Sequence, residues 1–160
     1  MRKSVKQQLA LRVLSTAALM AMVSSIATAA FADTYDLNKG SVTVETKEDG
    51  FTYVTQENTE INDHQDNTGV TITSNGEKTS NTITVETAKD QTTDVTLDNV
   101  HIEVDTSKAK SGAIEIKGNG DTNLELNGNN TVLSGSSKHA GIEKADVNGT
   151  GTLTISGNGR

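Results

Sequence analysis

Three glutamates, Glu86, Glu115 and Glu143, recur at separations of 29 and 28 residues, and each follows an apolar residue: Val85, Ile114 and Ile142. If those positions stack on parallel strands, the carboxylates form a ladder with steps of ~4.8 Å. Like charges that close are unfavourable unless a cation or a shared proton lies between them. Calcium takes several oxygen ligands at ~2.3–2.6 Å, so these three are the candidate metal ligands and calcium is the implied cation. The same residues also read as a solvated face screened by Lys89, Lys117 and Lys144. Other chemistry finds less footing. His64, His101 and His139 share no spacing that would set a metal site, and Asp63-His64-Gln65-Asp66 lacks a calcium-loop pattern. Nothing places a serine nucleophile beside a base. The sequence therefore predicts no catalytic and no cofactor-binding residue, and a protein that is not an enzyme.

A ladder requires strands, and from about Ser41 onward the apolar period is two. Val42/Val44, Phe51/Tyr53, Val70/Ile72, Ile83/Val85, Val95/Leu97, Val100/Ile102/Val104, Ile114/Ile116, Leu124/Leu126 and Leu153/Ile155 read as short half-buried strands. Asn75-Gly76, Gly118-Asn119-Gly120 and Asn127-Gly128-Asn129-Asn130 supply turns that tolerate positive φ. The strands fall into three columns: Val85, Ile114 and Ile142; Val95, Leu124 and Leu153; Val104 and Leu133. A shared period of about 29 residues marks a repeat whose units bury their apolar faces only by stacking. The expected fold is all-β: a three-sided, right-handed parallel β-solenoid, with handedness taken from the general chirality preference. A small antiparallel sandwich would give the same alternation but has no reason for the period.

Residues 1–32 stand apart. Arg2, Lys3, Lys6 and Arg12 precede an apolar run from Val13 to about Val23, and Ala30-Phe31-Ala32 ends it, so the segment reads as a signal peptide cleaved after Ala32. The apolar run is shorter than the ~20 residues a bilayer demands, and no later segment resembles a transmembrane span. Residues 33–82 are expected to form irregular N-terminal capping coils, since Val70 fits no column although Val54 and Ile83 are 29 apart. Residues 83–160 are expected to form the regular coils. No cap follows Ile155, which predicts truncation in mid-coil and leaves uncapped coils able to associate end to end.

Beyond Ala32 the chain holds all 21 acidic residues but lacks Arg2, Lys3, Lys6 and Arg12. That balance repels nucleic acid and anionic lipid. There is no cysteine, hence no disulfide, and the aromatics after residue 32 are Tyr35, Phe51 and Tyr53.

With Asp94-Val95-Thr96-Leu97-Asp98-Asn99-Val100, Leu124-Glu125-Leu126-Asn127-Gly128-Asn129-Asn130, Ala140-Gly141-Ile142 and the run Gly151 to Gly159, residues 82–160 resemble secreted bacterial right-handed parallel β-helix proteins. The group is the carbohydrate-binding or adhesin-like one within the pectate-lyase-like architecture. The resemblance implies an exported or cell-surface module that binds polysaccharide or cell-surface glycan, assisted by calcium. A polysaccharide lyase or hydrolase of the same architecture is the alternative, although no lysine column accompanies the glutamates and the arginine after residue 32 is Arg160 alone. Ice binding, suggested by Thr71-Ile72-Thr73, Thr82-Ile83-Thr84 and Thr152-Leu153-Thr154, is disfavoured because these pairs belong to different columns.

Overall fold

The short strands read from period-two alternation are present, and they pair mostly in parallel. The computed structural model describes residues 33–59, 64–66, 69–105, 112–145 and 149–160, with 64–66 described for backbone only. The expected signal peptide lies outside the described residues. The described residues form fourteen strands in three sheets. Sheet A holds, in spatial order, β1 (Asp33–Asp36), β5 (Val70–Thr73), β8 (Thr92–Asp98), β11 (Asp121–Asn127) and β14 (Leu153–Gly157). Sheet B holds β13 (Ile142–Lys144), β10 (Ile114–Gly118), β7 (Ile83–Thr87), β2 (Val42–Thr46), β3 (Thr52–Gln56) and β4 (His64–Asp66). Sheet C holds β12 (Thr131–Leu133), β9 (His101–Glu103) and β6 (Lys78–Thr79).

From β5 onward the chain visits sheets A, C and B in rotation, and from β8 onward each visit adds a parallel strand beside the one last added to that sheet. Among the described strands only β2–β3 and β3–β4 pair antiparallel. Alternation sends one side of every strand inward, so Val42, Val44, Ile83, Val85, Ile114 and Ile116 of sheet B meet Val70, Ile72, Val95, Leu97 and Leu124 of sheet A in one apolar core. Sheet C contributes Ile102. These side chains are all but fully buried. Burial then fades along the stack: Leu126, Val132, Ile142 and Leu153 are only partly buried, and Ile155 is 49% exposed.

The strands of the expected columns are indeed neighbours, but their residues are shifted. Val95 pairs with Leu124 as expected, whereas Leu124 pairs with Ile155, and Leu153 faces Thr122. Val85 pairs with Ile116, and the true column is Ile83, Ile114 and Ile142. Leu133 faces Glu103 and is 51% exposed, while Val132 takes the inward place beside Ile102. Val70 does fit a column, in register with Val95 at a separation of 25 rather than 29. Val54 pairs antiparallel with Val44, not with Ile83. The physical reason is common to most of these. Connections between successive strands of a sheet differ in length, and a slip of two residues keeps every inward side chain inward, so the apolar pattern does not detect it.

A chain of threonine hydroxyls closes the corner where sheet B hands over to sheet A. Thr46 Oγ1 is 2.9 Å from Thr52 Oγ1 and accepts from Thr93 Oγ1 at 2.6 Å. Thr87 Oγ1 lies 2.7 Å from Thr93 Oγ1 and 3.2 Å from Thr122 Oγ1. Thr46, Thr87, Thr93 and Thr122 are buried, and the hydroxyls satisfy one another where an isolated one would be costly. Gly118 occupies the next place in this column, opposite Thr87, at φ +86°, where an added Cβ would strike the Thr87 carbonyl oxygen. The corner between sheets A and C instead uses positive-φ asparagine and glycine: Asn75, Gly76, Asn99 and Gly128. There Asn99 Oδ1 accepts from Asn129 N at 3.1 Å and Asn130 Oδ1 from Val100 N at 3.0 Å.

Candidate functional site

Register decides which outward side chains meet. On sheet B, Glu115 pairs with Glu143 on one side and Thr84 on the other, while Glu86 pairs with Glu45 and Lys117. The expected row of Glu86, Glu115 and Glu143 is therefore divided into two acidic pairs, one of them containing a residue the sequence reading did not single out. Both pairs carry basic neighbours. Lys117 Nζ is 2.9 Å from Glu115 Oε2, His139 Nδ1 is 2.8 Å from Glu143 Oε2, and Lys47 Nζ is 3.8 Å from Glu45 Oε2. Lys47 also sits 3.9 Å from the centroid of the Tyr53 ring, so a cation covers an aromatic face that could otherwise stack on a sugar. Among the described residues no group of three or more His, Asp or Glu converges as a metal site.

Sheet C presents a smaller charged group. Glu103 is 3.0 Å from His101 Nε2 and 3.2 Å from Lys78 Nζ. The hydrogen bond from His101, then that from Lys78, holds the Glu103 carboxyl below the usual carboxylate range.

The outer face of sheet A differs from both. None of its five strands contains Lys, Arg or His. Four rows cross it. Thr92 and Asp121 make the first; Asp94, Asn123 and Thr154 the second; Thr34, Thr71, Thr96, Glu125 and Ser156 the third; Asp36, Thr73, Asp98 and Asn127 the fourth. In the rows flanking the third, the acids already have donors. Asn123 Nδ2 donates to Asp94 Oδ1 at 2.8 Å, Asn99 Nδ2 to Asp98 Oδ1 at 2.9 Å, and Asn38 N to Asp36 Oδ1 at 3.0 Å. The backbone N–H and hydroxyl of Thr152 donate to Asp121 Oδ1 at 2.8 and 2.7 Å, which lowers the Asp121 pKa.

The third row is the exception. No side chain of Thr34, Thr71, Thr96, Glu125 or Ser156 makes a hydrogen bond or ion pair with any described residue. Thr96, Glu125 and Ser156 line an open depression of about 380 Å³ together with Gly69, Asp94 and Asn123. Gly69 removes a side chain beside Asp94 and so opens one end of it. The expected column of Val95, Leu124 and Leu153 would set Thr96, Glu125 and Thr154 in one row. The structure puts Ser156 there and aligns Thr154 with Asn123. Of the Thr-x-Thr pairs, Thr71/Thr73 and Thr152/Thr154 lie at sheet A in different registers and Thr82/Thr84 at sheet B, so they make no single two-column array.

No protein-family model, curated protein or solved structure matches this chain. Among the described residues no helix is long and apolar enough to cross a membrane.

Proposed function

We propose that the chain is an exported binding module, displayed outside the cell, whose three sheets form the walls of a three-sided right-handed parallel β-solenoid, and that it contacts polysaccharide through the outer face of sheet A. The rotation of strands through sheets A, C and B supports the solenoid. Right-handed winding follows from the preference that twisted parallel strands impose on their crossovers. The basic start, apolar run and Ala30-Phe31-Ala32 of the N-terminus support export.

The observation that carries the binding role is the unengaged row Thr34–Thr71–Thr96–Glu125–Ser156, repeated across all five strands of one face. Parallel strands set its members ~4.8 Å apart, so an extended polymer laid across them meets a hydroxyl or carboxylate at every step. Such a surface binds and orients; it supplies no base poised beside a metal and no acid–base pair. The resemblance to secreted β-helix proteins of the adhesin-like group points the same way.

The test is a glycan array probed with the secreted protein, with and without calcium, together with the mass of its N-terminus. Binding to one or more polysaccharides and a chain beginning at Asp33 are the expected results. A silent array, or an N-terminus that retains residues 1–32, would overturn the reading.

A further inference from the structure

The outer face of sheet A also constrains the charge of what it holds. Resting on the binding role proposed above, we infer that the ligand is an uncharged polysaccharide lying across the strands, along the row Thr34–Thr71–Thr96–Glu125–Ser156, and held without a bridging cation. Asp94, Asp98, Asp121 and Glu125 crowd this face, its strands hold no base, and Lys144 from sheet B acts on Asp121 at its edge rather than on the row itself. A polyuronate would bring a carboxylate per residue into that field and be repelled. A neutral chain brings only hydroxyls, which both donate and accept.

The row suits that chemistry. Glu125 is acceptor-only when ionised and takes hydrogen bonds from two neighbouring sugar hydroxyls, while Thr34, Thr71, Thr96 and Ser156 supply hydroxyls that serve in either sense. Their side chains have no described partner to give up, so binding breaks no internal hydrogen bond. The flanking Asp94–Asn123 and Asp98–Asn99 contacts keep the rows beside it fixed. Sheet B carries a comparable run, Thr55, Thr43, Thr84, Glu115 and Glu143, but its two carboxylates are occupied by Lys117 and His139. It therefore serves as the internal control.

The experiment uses protein expressed from the full 160-residue chain and measures its affinity for soluble β-glucan, mannan and polygalacturonate by calorimetry and affinity electrophoresis. The expected result is binding to β-glucan or mannan that is unchanged by EDTA and by raised NaCl. A Thr96→Val/Glu125→Ala variant should weaken that binding at least tenfold, and a Thr84→Val/Glu115→Ala variant should leave it unchanged. Preference for polygalacturonate, loss of binding in EDTA, or equal weakening by the two variants would overturn this inference while leaving the binding role standing. Failure to bind all three polymers would overturn it too, and a silent glycan array would remove the binding role with it.

Discussion

The outer faces of sheets A and B begin alike and end differently. Each has three threonines in register followed by glutamate: Thr34, Thr71, Thr96 and Glu125 on one, Thr55, Thr43, Thr84 and Glu115 on the other. On sheet B, Lys117 and His139 lie against Glu115 and Glu143, and Lys47 against Glu45 and Tyr53. On sheet A the strands hold no base, and among the described residues no side chain of the third row has a hydrogen-bond or ion-pair partner. A similar ladder of side chains is thus a self-contained ionic surface on one sheet and an open hydrogen-bonding surface on the other. What separates them is where the few cations fall, since the rows themselves are nearly interchangeable.

The largest expected effect comes from removing the support beneath the open face. Leu124 is fully buried directly before Glu125, so Leu124→Ala should cost about 3 kcal/mol through lost burial and an incompletely collapsed cavity. Urea unfolding would measure it, and a cost below about 1 kcal/mol would mean the core is not packed as described. Next is the threonine chain joining the two sheets. Thr93→Val takes the central hydroxyl out of the chain Thr52–Thr46–Thr93–Thr87–Thr122 and should destabilise by about 1–2 kcal/mol, because Thr46 and Thr87 stay buried with one partner fewer. An unchanged unfolding midpoint would show that the hydroxyls act independently.

A smaller and local effect is tied to pH. The Thr152 N–H and hydroxyl depress the Asp121 pKa, so the contact that holds the start of β14 contributes fully above the ordinary aspartate pKa of ~3.9. It is lost as pH falls through the depressed folded value. Hydrogen-exchange protection of the β14 amides, corrected for intrinsic rates, should drop in that acid window and should be low at all pH values in Asp121→Ala. Protection indifferent to both would remove Asp121 as the anchor. The smallest effect separates the faces directly. Glu115→Gln should cost no more than about 1 kcal/mol through its partly buried pair with Lys117, whereas Glu125→Gln should be neutral or slightly stabilising, since it relieves repulsion on a face whose strands hold no base. Thermal melts of the two variants with the opposite order would sink the distinction.

Much of this fold could be read before any coordinates. Period-two alternation marked the strands, and Asn75, Gly76, Gly118 and Gly128 do take the positive φ that their residue types allow. The three-glutamate row was not legible. It rested on pairing Val85 with Ile114, whereas Val85 pairs with Ile116, and that shift of two sets Glu86 against Lys117. Leu133 failed for a different reason: a shift of one reverses the face, and nothing local reveals that Val132 rather than Leu133 turns inward. The buried threonine chain gave no signal either, because a threonine at a strand end reads as polar surface until its neighbours are known.

Sequence alone therefore determined which side of most strands meets the core, β3 and β12 excepted, and where the chain turns, since both depend on side-chain polarity at period two and on the backbone freedom of glycine and asparagine. Tertiary structure alone decided which residue stands beside which. Strand-to-strand separations of 25, 29 and 31 residues within sheet A come from connections of unequal length. A period-two pattern is satisfied equally by registers two residues apart, so only the hydrogen-bonded ladders could choose among them.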